Sequence, residues 1–202
     1  MAKVRPSAEA NQKTVLMVTA PVWDTIRQTL FWVDIEGRRV HSYHPGSTSH
    51  TFRNFGSKIS AIACTDKDDG VSQDCLSSCA MPCLSLTSQL IAAVDEGFAF
   101  IPFTSLIASG DTDGELEIMH TVELESGEKR FNEGMVDPAG RFLAGTMGHA
   151  HGTHNGRMFA LTRGDLNQEP IKKGITCTNG MGWVDDGATM CAVVSLELGQ
   201  LG

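Results

Sequence analysis

An all-β chain assembled from repeated multi-strand units is predicted by three features of the sequence. Its 202 residues include 21 Gly, 9 Phe and 3 Trp, a composition that suits short strands and tight turns better than long helices. Strand-length apolar runs recur along it, most of them flanked by Gly or Asp. One unit, an Asp followed by a turn and then an apolar strand, returns four times.

The runs, in order, are Leu30–Val33, Ile59–Ala63, Leu90–Val94, Phe98–Phe103, Leu116–Met119 and Arg141–Ala144. The repeated unit begins at Asp24, leading to Leu30; at Asp66, leading through Gly70 to Leu90; at Asp137, through Pro138-Ala139-Gly140 to Phe142; and at Asp185, through Asp186-Gly187 to Met190. Asp favours such turns because its carboxylate bonds backbone N–H groups just ahead, and Gly supplies the left-handed φ that closes them. The four starts are separated by 42, 71 and 48 residues, so the middle interval holds something extra. Residues 71–89, VSQDCLSSCAMPCLSLTSQ, lack strand alternation and are predicted to be an insertion forming a surface excursion. Without them Gly70 leads directly to Leu90, and the spacing becomes the roughly 40–50 residues of a multi-strand repeat.

A repeat of that size predicts a β-propeller, because one blade cannot bury both of its faces and needs neighbours around a ring. Four starts predict three to four blades over residues 15–202, preceded by a poorly ordered segment, 1–14. An arc of that extent exposes apolar faces and strand edges.

Composition excludes several classes of partner. Lys plus Arg number 16 against 24 Asp plus Glu, and a net charge of −8 repels a phosphate backbone, so no nucleic-acid partner is predicted. The longest uncharged stretch, Cys75–Val94, carries five Ser or Thr hydroxyls before Gln89 besides Pro82, which argues against a membrane span. The N-terminus is polar and the Val15–Val18 run is too short for a leader core, so no secretory signal and a cytoplasmic setting are expected. The six cysteines then read as reduced thiols. No partner protein is predicted.

Three motifs carry a family resemblance. They are Pro21-Val22-Trp23-Asp24 followed by Leu30-Phe31-Trp32-Val33-Asp34-Ile35; Arg130-Phe131-Asn132-Glu133-Gly134 running into Asp137-Pro138-Ala139-Gly140-Arg141-Phe142-Leu143-Ala144-Gly145-Thr146-Met147; and Thr178-Asn179-Gly180-Met181-Gly182-Trp183. The chain resembles the senescence marker protein, regucalcin and gluconolactonase family over most of Val15 to Met190. The resemblance implies a six-bladed β-propeller, here partial, with a divalent metal on its axis, and a small sugar lactone as substrate. Calcium, zinc, manganese or magnesium are the metals in view.

What the resemblance implies for single residues is uneven. The family's metal ligands are a Glu in the first repeat, an Asn in the third and an Asp in the fourth that also serves as base. Asn179 matches the Asn; Thr19 stands where the Glu is expected, and no match to the Asp is found. Arg130 and Asn132 match the substrate-contacting Arg and Asn, whose donors suit sugar hydroxyls and lactone oxygens. Gly148-His149-Ala150-His151 replaces a further acidic contact. The expectation is therefore a gluconolactonase-like, metal-dependent hydrolase of sugar lactones whose turnover is impaired in this chain. The alternatives are a non-catalytic calcium-binding protein or an inactive splice or gene-model product.

Two further clusters are read as structural. His149, His151 and His154 lie in a Gly-rich loop without a carboxylate beside them, and Cys75, Cys79 and Cys83 are interrupted by Pro82, so neither is expected to bind zinc. Cys177 reads as a buried apolar residue, and Arg130, Asn132 and Asn179 could equally be surface and turn residues.

Overall fold

A computed structural model describes residues 18–65, 89–95, 97–107, 113–148, 154–162, 165–166, 169–184 and 187–194. These form fifteen strands and one five-residue helix, arranged as four sheets with antiparallel ladders. The first sheet contains Val18–Asp24 (β1), Thr29–Asp34 (β2), Arg39–His44 (β3) and Ser49–Asn54 (β4) in chain order. The second contains Ile59–Cys64 (β5), Gln89–Val94 (β6), Gly97–Pro102 (β7) and, after the helix Phe103–Ile107 (α1), Glu117–Thr121 (β8). In the third, Glu128–Val136 (β9), Phe142–Gly148 (β10) and Gly156–Thr162 (β11) are followed by Asp165–Leu166 (β12) and Lys172–Ile175 (β13), both pairing with β11. Thr178–Val184 (β14) and Thr189–Val194 (β15) form the two-stranded fourth sheet. This is the predicted all-β architecture of propeller blades, three with four or more strands and a fourth with two.

The repeated Asp marks the hairpin between the first and second strands of a blade. Asp24 closes β1 to β2: its Oδ1 accepts from the N–H groups of Ile26 and Arg27 at 2.9 Å each, and its Oδ2 pairs with the Arg27 guanidinium at 2.8 Å. Asp137 does the same between β9 and β10, accepting from the Ala139 and Arg141 N–H groups at 3.0 and 2.8 Å and from Arg141 Nε at 2.6 Å. Gly140 and Gly187 take φ of +79° and +91° in these turns, where a Cβ would strain the backbone. The Asp66–Gly70 copy and nearly all of 71–89 lie outside the described residues. The chain leaves at Thr65 and returns at Gln89, whose carbonyl accepts from the Thr65 hydroxyl at 2.8 Å, so the two ends sit side by side.

All six apolar runs fall on strands to within one residue: Phe103 begins α1 rather than ending β7, and Leu116 and Arg141 stand just before β8 and β10. The core lies between blades. Phe31, Val33 and Val40 of the first sheet pack with Ile62, Leu90 and Ala92 of the second; Phe98 of the second meets Phe131 and Phe142 of the third edge-on, with ring centroids 5.2 and 6.0 Å apart. Strand alternation sends Leu143, Met158 and Ala160 to the other face of the third blade, against Met181 and Trp183 of the fourth. Phe52 on the first sheet and Val184, Met190 and Val193 on the fourth are exposed. Among the described residues no helix is long and apolar enough to cross a membrane.

Candidate functional site

The first strands of the four blades, β1, β5, β9 and β14, share an irregularity that positions the site. In each, the first strand gains one residue on its partner. Pairing steps from Thr19↔Val33 to Val22↔Phe31, from Ile59↔Val94 to Ala61↔Ala93, from Phe131↔Thr146 to Glu133↔Gly145, and from Thr178↔Val194 to Met181↔Ala192. A β-bulge leaves one residue out of the ladder and re-aims the side chains around it. The residues set free are Ala20 or Pro21, Ser60, Asn132, and Asn179 or Gly180. Small and amide residues at these points lie four to six positions before the Asp of each turn, a sequence signal that alternation alone does not show.

The bulges are stitched to one another. Ser60 Oγ donates to the carbonyl of Phe131 at 2.6 Å, and Asn132 Nδ2 donates to the carbonyl of Thr178 at 2.7 Å. Each bulge side chain thus satisfies the carbonyl of the residue just before the bulge in the next blade. Close packing between first strands needs Gly134 bare, since a Cβ there would stand 2.6 Å from the Leu143 carbonyl and 3.0 Å from Ala61.

Asn132 is the hub. Its Oδ1 accepts from Arg130 Nη1 at 2.7 Å, while Nδ2 also faces Asn179 Oδ1 and Cys177 Sγ, each at 3.2 Å. Arg130, Asn132 and Asn179, drawn from two blades, therefore meet. Asn179 opens the fourth sheet, one blade later than the third-repeat position the resemblance assigns it. Arg130 is 4 % exposed, and its charge is met by Glu36 Oε1 at 3.6 Å, while Lys58 binds Oε2 of the same carboxylate at 2.7 Å. The Lys58 bond holds the Glu36 carboxyl below its usual range, while burial of Arg130 weakens the guanidinium's hold on its proton and Glu36 opposes that. Lys58, Asp95, Lys129 and Arg130 line a cleft of about 440 Å³ beside this cluster.

Thr19 and Glu133 complete the arrangement. Thr19 Oγ1 donates to Glu133 Oε2 at 2.5 Å, linking β1 to β9, and the Gly134 N–H donates to Oε1 at 3.2 Å. Burial raises the Glu133 carboxyl above the ordinary glutamate value despite these two bonds. Glu133 lies inside the Arg130–Gly134 motif, yet sequence reasoning gave it no role. Burial likewise pushes up the Cys177 thiol, consistent with an inert side chain rather than a nucleophile.

The donors gathered here are carboxylate, hydroxyl and amide oxygens. Among the described residues no three of His, Cys, Asp and Glu converge, so a thiolate or imidazole cage of the zinc type is not present there. Oxygen donors fit a hard cation such as calcium, magnesium or manganese. His149, His151 and Cys75, Cys79 and Cys83 lie outside the described residues; His154 Nδ1 pairs with Thr176 Oγ1 at 2.9 Å.

Residues 18–197 match the family model described as the SMP-30/Gluconolactonase/LRE-like region, and the chain belongs to that family. It is similar to the pentonolactonase XacC of Haloferax volcanii, with 30 % identity over 82 % of this chain and 45 % of that protein. Among solved structures it resembles a luciferin-regenerating enzyme, with a TM-score of 0.67 and 21 % identity over 88 % of this chain and 52 % of the other. It also resembles a regucalcin of Agrobacterium tumefaciens described as a calcium-binding protein, with a TM-score of 0.66 and 22 % identity over 89 % of this chain and 50 % of the other. The chain spans about half the length of the curated relatives it matches.

Proposed function

We propose that the ends of the blades' first strands form a sugar-lactone site of the gluconolactonase type, assisted by a divalent cation. The observation that carries this reading is the continuous hydrogen-bonded line Arg130–Asn132–Asn179 across two blades. A lactone presents a carbonyl, a ring oxygen and several hydroxyls. Arg130 supplies donors to the oxygens, and its burial keeps water from competing for them. Asn132, held by Thr178 and Arg130, presents a fixed amide edge, and Asn179 is the amide ligand for the cation. A bound divalent cation would polarise the lactone carbonyl and bring water into reach of it. Relatives named as lactonases motivate the substrate class.

For these 202 residues taken alone, we propose weak turnover, because hydrolysis needs a general base and none of them matches the family's fourth-repeat Asp. The test is glucono-1,5-lactone with the 202-residue chain in calcium, magnesium, manganese or zinc, following both hydrolysis above the spontaneous rate and lactone-dependent thermal stabilisation. The expected result is stabilisation that Arg130→Ala and Asn132→Ala abolish, with hydrolysis at or near background. Cation-dependent hydrolysis well above background overturns the weak turnover. Calcium binding without lactone binding overturns the lactone reading in favour of a non-catalytic calcium-binding protein.

A further inference from the structure

We infer that Glu133 is the carboxylate ligand of the cation site, standing in for the acidic residue that the family resemblance places at position 19. This rests on the cation-assisted reading above and names the residue that carries its charge.

The argument begins with where Glu133 reaches. Thr19 and Glu133 are 114 residues apart and belong to different sheets, yet hydroxyl and carboxylate meet at 2.5 Å. The carboxylate on β9 therefore lies within one hydrogen bond of the side chain on β1 that would otherwise be acidic. Two carboxylates at such a separation repel, whereas a hydroxyl and a carboxylate pair as donor and acceptor. Position 19 being Thr is what allows a longer acid at 133 to occupy the space.

The β9 bulge explains how one strand serves both sides. Asn132, the residue out of register, turns to β14, where it meets Thr178 and Asn179; Glu133, next in sequence, turns to β1. Amide and carboxylate from adjacent positions of one bulge thus reach the first strands of the two flanking blades, β14 and β1.

The third step is charge. Glu133 has two neutral donors, the Thr19 hydroxyl and the Gly134 N–H, and no basic side chain pairs with it among the described residues. A carboxylate has about four acceptor positions, so lone pairs are left after those two bonds. A half-buried carboxylate without a cationic partner is costly unless protonated or paired with a cation. The surrounding hard oxygen donors select the second partner as a divalent ion.

The test titrates calcium calorimetrically into the full 202-residue chain, with terbium luminescence as a second probe, and uses no substrate. Glu133→Gln keeps shape and removes charge; it is expected to weaken cation affinity by about tenfold or more, since affinity of oxygen sites follows ligand charge. The double variant Thr19→Glu with Glu133→Gln returns the carboxylate to β1 and is expected to restore most of the loss, which a purely structural role for Glu133 would not produce. Unchanged affinity in Glu133→Gln, or no saturable binding by the unsubstituted chain, overturns the inference. If Glu133→Gln alone does not fold, judged by circular dichroism, the double variant decides: affinity near that of the unsubstituted chain supports the relocation, and its loss overturns it. Lactone hydrolysis or binding can fail while these titrations succeed, so the two readings fall separately.

Discussion

The side-chain amide of Asn132 donates to the backbone carbonyl of Thr178 at 2.7 Å, tying the bulge of one blade to the strand of the next. Ser60 makes the same connection one blade earlier, to the carbonyl of Phe131 at 2.6 Å. Ser60 is fully buried, so its loss leaves a carbonyl without its donor in a dry interface. Ser60→Ala is expected to cost about 1–3 kcal/mol by chemical denaturation. Ser60→Thr, which keeps the hydroxyl, tests whether the bond rather than the available volume matters: a loss smaller than that of Ser60→Ala supports the stitch.

Asp137 organises the hairpin between β9 and β10 through three bonds while only 3 % exposed. Asp137→Ala is expected to destabilise by about 2–4 kcal/mol, because charged acceptors are worth more than neutral ones and the two N–H groups lose their partner. Asp137→Asn keeps one oxygen for those N–H groups and sacrifices only the charge facing Arg141. Its loss is expected to be about half as large, read from denaturant midpoints at constant slope.

Glu128 gives the third blade a pH signature. Its carboxylate is buried against Arg157, accepts from Thr146 Oγ1 at 2.5 Å and from the Glu125 N–H at 2.7 Å, and also bonds Arg157 Nε at 3.0 Å. Burial alone would raise its pKa; the bonds from Arg157, Thr146 and Glu125 together outweigh it and leave the carboxyl below the ordinary 4.5. The unfolded chain therefore binds this proton first on acidification, and the stability held above about pH 4.5 is lost as pH falls through the lower folded value. A thermal midpoint that drops from pH 5 to 3, and drops less steeply in Glu128→Gln, is the expected result.

His41 acts in a separate window. It is 3 % exposed, its Nδ1 lies 3.0 Å from His50 Nε2, and Trp32 stacks against it with ring centroids 5.2 Å apart. Burial first, and His50 second, lower its pKa from 6.5 to about 4; Arg39 adds to this and Asp34 opposes it. Between those values the unfolded chain binds the proton and the folded chain does not, so stability falls as pH falls from 6.5 towards 4, by an amount on the order of 3 kcal/mol in total. His41→Phe keeps the ring against Trp32 and should flatten the pH 6.5–4 slope while leaving the Glu128 region below it intact.

Much of the fold is legible in the residue order because each blade's buried strands are written as apolar runs. Val33, Ile62, Ala92 and Phe98 are buried in the core between blades, and burial removes polar residues from those segments. The outer strands β3 and β4, RVHSYH and SHTFRN, carry no such run, because they lie at the rim of the blade and pair only with their own sheet. The nine-residue β9 is similarly obscured by Glu128, Arg130 and Glu133, whose partners are distant in sequence: Arg157 of the same blade for Glu128, and Glu36 and Thr19 of the first blade for Arg130 and Glu133.

The sequence by itself determined the spacing of the turns and the apolar strands between them, and hence the class of fold, because Asp turns and strand-length runs are local chemistry. It also named Arg130, Asn132 and Asn179 through their motifs. Only the tertiary structure decided that these three touch, that Ser60 and Asn132 play equivalent parts in successive blades, and that Glu133 reaches Thr19. Those relationships depend on one unpaired residue in each first strand and on how neighbouring blades abut. A bulge is a fact of register between strands, and register between distant segments is set by packing that no local pattern encodes.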